Sequence, residues 1–161
     1  MEGQHRILGP SKSAASTPIE ATNNDPAVAI ISIKSSLTFH NNFNYVPVIP
    51  DLLYVSDRTT GQDASTFTVY KGGYALDSNN NGYANHDITK SVVQTITNPT
   101  GVSLTGATVV ATVIIGDKGS QSINLGELGI VLHAGETLVV TGKTVGGNSY
   151  LSASLTWRED H

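Results

Sequence analysis

The sequence predicts an all-β protein: an antiparallel two-sheet β-sandwich, Ig-like or jelly-roll, with an extended N-terminal arm. Three observations carry this. Charged residues are only 14% of the 161 positions while Thr, Ser, Val, Gly and Asn abound, a mixture that suits strands joined by tight turns. Apolar and polar residues alternate with a period of two in segment after segment from Ala27 onward, which marks half-buried strands. No run shows the 3.6-residue apolar period of a helix, and turn signals recur often enough to mark off about eight or nine short strands. A chain of this length supports one ordinary core, so the expected organisation is an arm over 1–26 and a sandwich domain over 27–161. No internal repeat is visible, which disfavours a propeller or solenoid.

The arm comes first. Residues 1–26 mix Ser, Thr, Ala, Asn and prolines with few large apolar side chains, too little buried surface to offset the entropy of ordering. Ile7, Leu8 and Ile19 are its apolar anchors: an arm that orders is expected to do so by laying them against another subunit, the competing reading being a merely floppy terminus. Next, Ala29, Ile31, Ile33, Ser35, Leu37 and Phe39 alternate with more polar neighbours as a long first strand, broken once, ahead of a polar turn over His40–Asn44. Tyr45–Val55 is apolar, but Pro47 and Pro50 cannot donate to a ladder, so an edge strand or extended connection is expected. Ser65–Lys71 places Phe67 and Val69 on one face, and Gly72-Gly73 marks a turn.

Leu76–Asp87 reads as a loop. Beyond it Ile88–Thr97 is a strand, Asn98–Gly101 a turn, and Thr108–Ile115 a strand with Val109, Ala111, Val113 and Ile115 on one face. Short strands follow at Ser122–Leu125, Gly129–Leu132 and Thr137–Thr141, with Gly142-Lys143 as a turn. The last strand, Ser149–Trp157, sets Leu151, Ala153, Leu155 and Trp157 toward the core and Ser152, Ser154 and Thr156 toward water.

Charge and composition exclude several classes. The net charge of -4, with no Lys/Arg cluster, lacks the basic stripe that neutralises a phosphate backbone, so nucleic acid is not an expected partner. The absence of cysteine removes disulfides and thiolate metal ligands and is compatible with a reducing cytoplasm. No stretch approaches the roughly 18 apolar residues of a membrane helix, and the start has no apolar h-region. The expectation is therefore a soluble protein with neither membrane partner nor signal peptide.

No catalytic constellation is apparent. The histidines at 5, 40, 86, 133 and 161 never fall at the i, i+4 spacing of a helical zinc site. His133 reads as a turn residue, and no nucleophile elbow occurs. Thr141-Gly142-Lys143-Thr144 resembles the end of a P-loop, but Thr137 stands where that motif needs glycine and no helix follows, so a hairpin turn is expected. Asp77, Asn79 and Asn81, followed by Gly82, match the first half of a calcium loop. The second half has Ile88 where a bidentate Glu belongs, next to Asp87. Calcium is thus the one cofactor the pattern admits, with low affinity, against the competing reading of a plain Asn-rich turn. The acids lie mostly in loops and termini and read as solvated charges, so the protein is expected not to be an enzyme.

From Lys90 to Trp157 the chain resembles small accessory proteins of tailed-bacteriophage virions, of the head decoration (cement) type. The residues concerned are Thr95–Gly101, the Thr/Val-rich Ala107–Ile115, Leu132-His133-Ala134-Gly135-Glu136-Thr137-Leu138, and Tyr150–Ser154. The resemblance implies a non-enzymatic structural protein of the capsid surface, assembled in a bacterial host cytoplasm. It implies the major capsid protein and neighbouring copies of itself as partners, and transfers no catalytic residue. The alternative is a carbohydrate- or receptor-binding module of a tail or fibre, stacking sugars on Tyr45, Tyr54, Tyr70, Tyr74 or Tyr83. Aromatic content of 6% makes it the second choice.

Overall fold

The computed structural model describes residues 11–22, 26–58, 64–76, 82–116 and 119–160. Among them the chain forms β1 (Lys12–Ala15), β2 (Ile19–Ala21), β3 (Val28–Ser35), β4 (Thr38–Phe39), β5 (Asn42–Phe43) and β6 (Val48–Asp57). Then come β7 (Ala64–Lys71), β8 (Tyr74–Leu76), β9 (Ala84–Asn85), β10 (Val93–Ile96), β11 (Gly101–Ser103) and β12 (Thr108–Ile115). The chain closes with β13 (Ser120–Asn124), a short 3₁₀ turn at Leu125–Leu128, β14 (Thr137–Val145) and β15 (Ser149–Glu159). No helix among the described residues is long and apolar enough to cross a membrane.

A five-stranded sheet runs β1-β15-β6-β13, with β2 also on β15, and a six-stranded sheet runs β12-β7-β14-β3-β10-β9. The pairing is antiparallel and nested: β3 with β14, β6 with β13, β7 with β12, and β8 with β11, each pair enclosed in sequence by the one before. A long hairpin rolled into two layers is the jelly-roll scheme, so of the two sandwich types left open by the sequence this is the one adopted.

Between the layers, Leu53, Val55, Leu151, Ala153, Leu155 and Trp157 from one sheet meet Ile31, Ile33, Phe67, Val69, Leu138 and Val140 from the other. Each such large side chain contributes about 1.5–3 kcal/mol when fully buried, so the alternating strands identified from sequence are the main source of stability. Ile30 and Ile31 are both in this core because the β3/β14 register slips between Val140 and Thr141, leaving Ile30 as the extra residue. A smaller cluster of Ala29, Ala75, Ile96 and Val139 lies with Tyr70, Tyr83, Val102 and Leu104 on the other face of the six-stranded sheet, where the β8–β11 ribbon covers it.

Several expectations need correction. The arm does not extend to residue 26. β1 pairs with Ala15↔Ser154 through Lys12↔Trp157, and β2 with Ala21↔Ser149 through Ile19↔Leu151, so 12–21 form one interrupted edge strand along the protein's own β15. Ser16 bridges the gap, its amide donating to the Ala153 carbonyl and its hydroxyl accepting from the Ala153 amide. Ladder hydrogen bonds need no large side chains, which is why an apolar-area criterion missed this segment.

β6 is not an edge strand: it lies between β15 and β13. Pro50 is tolerated because β13 reaches only Leu52 to Ser56 on one side, while the β15 ladder slips between Leu155 and Trp157 on the other. Gly142 is not a turn residue; β14 runs through it to Val145. A Cβ there would lie 2.6 Å from Leu151 Cδ1 and 2.7 Å from Ile30 Cδ1, so glycine serves interlayer packing. Gly129–Leu132 supplies an isolated bridge, Val48↔Leu132, rather than a strand. The strand expected from Ile88 begins at Val93, after a turn. A bulge between Val109 and Ala111 sets Val110 beside Ala111 and Val113 against the core and leaves Val109 exposed.

Candidate interaction surface

At one end of the sandwich the β4–β5 hairpin turns at His40 and Asn41, whose φ of 50° and 65° suit a tight hairpin turn. The following residue pair is held by Asn44, which is buried. Its side-chain amide donates to Ser35 Oγ at 2.9 Å and to the Ser36 carbonyl at 2.8 Å, and its Oδ1 accepts from the Val46 amide at 2.8 Å. Because successive side chains alternate in extended chain, anchoring Asn44 inward sends Phe43 and Tyr45 outward.

These two rings lie 4.8 Å apart at 59°. Tyr45 is 85% exposed and Phe43 56%; Leu37, which pairs with Asn44 across the hairpin, is 57% exposed. Phe43, Tyr45 and Val46 line a shallow cavity of ≈ 170 Å³ with His133 and Ala134. Leu37 reaches Gly135, where a Cβ would stand 3.0 Å from its Cδ2. The His133–Glu136 turn behaves as the sequence indicates: Gly135 takes φ 83°, and the Glu136 carboxylate accepts from the His133 amide at 2.7 Å. The product is an apolar patch on a rigidly held hairpin. Tyr45 was legible as an exposed aromatic; Phe43 was missed, although aromatics flanking an Asn two apart were the available signal.

A second feature is a groove of ≈ 580 Å³ beside the β7–β8 bend, lined by Lys34, Lys71, Tyr74, Tyr83, Glu136 and Thr137 among others. Lys71 and Glu136 stand 3.7 Å apart at its rim, and the Lys34 ammonium lies 5.9 Å from the Tyr83 ring centre. Tyr83 is structural: its hydroxyl shares a 2.7 Å hydrogen bond with Ser32 Oγ and accepts from the Ala75 amide at 3.0 Å. Burial raises its phenol pKa, and the Ser32 and Ala75 bonds oppose that only in part.

The third feature is a buried carboxylate, Glu159, at the end of β15. It accepts from Ser91 Oγ, the Val92 amide and the Trp157 indole at 2.5, 2.7 and 3.0 Å. Lys12 of β1 joins the cluster, its ammonium 3.2 Å from Glu159 Oε2 and donating to the Lys90 carbonyl at 2.8 Å. Burial pushes the Glu159 carboxyl up, but the bonds from Ser91, Val92, Trp157 and Lys12 together outweigh it and hold the group below the usual range. The cluster ties the start of the domain to its last strand. Asp57 does similar work at the other end of β6, accepting from the Ser65 and Ser149 hydroxyls.

Of the residues singled out by sequence, Asp77, Asn79, Asn81, Ile7 and Leu8 lie outside the described residues. Asp87 caps a turn, its Oδ1 accepting from the Thr89 amide at 2.9 Å and hydroxyl at 2.8 Å and from the Lys90 amide at 3.2 Å. The Thr89 bonds hold its carboxyl below the usual range. No group of three or more His, Cys, Asp or Glu among the described residues is placed to hold a metal ion. Ile19 packs against the core of its own domain.

No family model and no curated protein matches the chain. Among solved structures, one of infectious bursal virus derived T=1 particles aligns over 94% of this chain and 40% of that chain, with 10% identity and a TM-score of 0.22. This chain thus spans well under half of the aligned viral chain, and so distant a similarity carries no weight below.

Proposed function

We propose that the protein is a non-catalytic structural component of a virion, a capsid decoration (cement) protein on the outer head surface whose partners are the major capsid protein and neighbouring copies of itself. The observation that carries the reading is the exposed Phe43–Tyr45 pair of rings. Aromatic side chains fixed in an exposed position on a rigid scaffold are the usual anchors of a protein interface, because little entropy is lost when they are covered. The sequence resemblance of Lys90–Trp157 to head decoration proteins points the same way. Residues 12–15 and 19–21 pair with the protein's own β15 and so are not part of a clasping arm.

The test is to add the purified protein back to particles lacking it and to count bound copies against the major shell protein by quantitative mass spectrometry. Wild type is expected at a copy number comparable to the shell subunits, and Phe43→Ala/Tyr45→Ala, with unchanged folding, at least ten-fold lower (about 1.4 kcal/mol or more). Equal binding by the double variant would remove the patch from the interface.

One observation favours the carbohydrate-binding alternative: Tyr74, 49% exposed, borders the groove beside the β7–β8 bend. Glycan-array binding that disappears in Tyr74→Ala, with particle binding intact, would place that reading first.

A further inference from the structure

The two sheets end differently. In the six-stranded sheet β12 is an outer strand, paired on one side with β7 from Thr108↔Lys71 to Ile115↔Ser65. Among the described residues no strand lies on its other side. Its sequence, Thr-Val-Val-Ala-Thr-Val-Ile-Ile, contains no charge and no proline, and Ile114 is 67% exposed. Such an edge is a template for another strand, and soluble proteins ordinarily blunt it with lysine, proline, a bulge or brevity. Of the other edges, β9 is two residues long and β1 begins with Lys12, while β13, Ser-Gln-Ser-Ile-Asn, is uncharged but mostly polar. The one safeguard on β12, the bulge between Val109 and Ala111, spares the regular stretch from Ala111 to Ile115.

We infer that Ala111–Ile115 of β12 is a pairing edge for the same strand of a second copy, joining two six-stranded sheets antiparallel about a two-fold axis at Val113. The occupant follows from self-complementarity. With Val113 opposite its own copy, Ala111 faces Ile115 and Thr112 faces Ile114, so inward residues meet inward residues and outward meet outward. Each pair occurs twice, as an isologous contact requires. Neither strand carries a charge, so no like charges are opposed and none is desolvated. A strand bearing the Lys, Glu or Asp common on other protein surfaces would lack that match. The inference stands apart from the virion reading and does not use the Phe43–Tyr45 patch.

The experiment is sedimentation velocity of the full chain from dilute to millimolar concentration, alongside Ile114→Lys and Thr112→Lys. Both substituted positions are exposed, and Trp157 emission reports whether each variant is folded. Wild type is expected to double in mass as concentration rises, and both variants to remain monomeric. Amide exchange across 111–115 is expected to slow in concentrated wild type alone. A wild type that stays monomeric throughout overturns the inference, as does a dimer that survives both lysines or one abolished by Tyr45→Ala.

Discussion

Replacing Lys12 by Met keeps most of the side chain's length and removes only its ammonium. In the folded protein this leaves Glu159, whose side chain is 0% exposed, with hydrogen bonds from Ser91, Val92 and Trp157 but without the cation 3.2 Å away. Removing one partner of a buried ion pair costs about 3–5 kcal/mol. The neutral donors Ser91, Val92 and Trp157 stay around the carboxylate and place this site at the lower end, about 3 kcal/mol. For a chain of this size that is a fall of about 6–12 °C in Tm. The sign of the pH dependence follows from the depressed Glu159 pKa. Its ionised form stabilises the fold above the ordinary glutamate pKa of about 4.3, and that contribution is lost as pH falls through the lower folded value. Removing Lys12 raises the folded pKa, so the gap between wild type and variant is largest near neutrality and narrows in acid. Urea titrations followed by Trp157, the single tryptophan, give the gap at about pH 7 and about pH 3. A gap that is the same at both values would mean that packing, not charge, is responsible. A neutral-pH gap under about 0.5 kcal/mol would refute the ion pair as a determinant of stability.

Three further outcomes are expected. Gly142→Ala should destabilise by about 1–3 kcal/mol in urea unfolding, since the new methyl meets Leu151 and Ile30; a stabilised variant would show that the interlayer gap relaxes and chain entropy dominates. Tyr83→Phe should cost about 1–2 kcal/mol, because the buried bonds to Ser32 and the Ala75 amide are lost, and amide exchange at Ala75 should quicken; unchanged exchange would contradict that role. Deleting residues 1–21 should lower Tm by more than Lys12→Met does, as β1, β2 and the burial of Ala21 go with it; a truncated chain as stable as wild type would return 12–21 to the status of a dispensable arm.

What the sequence determined by itself is the set of strands whose side chains alternate cleanly. Leu151, Ala153, Leu155 and Trp157 are all buried as their spacing of two requires, and Phe67 and Val69 likewise, because pleating converts a local pattern directly into a face. The break between β3 and β4 and the bend at Gly72-Gly73 were legible for the same local reason. Tertiary structure decided whatever depends on a distant partner. Gly142 carries the chemistry of a turn residue, yet the approach of Leu151 and Ile30 makes it a strand residue. Pro50 argues for an edge until the ladder slip opposite it is known, and Val109 and Val110 exchange faces at a bulge that no local pattern records. The N-terminal segment is ordered by β15 and by a lysine-glutamate pair 147 positions apart (159 − 12). The patch at Phe43 and Tyr45 needed Asn44 to be fixed inward by Ser35 and Ser36. Periodicity specifies which way a side chain points from its own strand; which strand it then meets is set by the nested pairing, and that is a property of the whole chain.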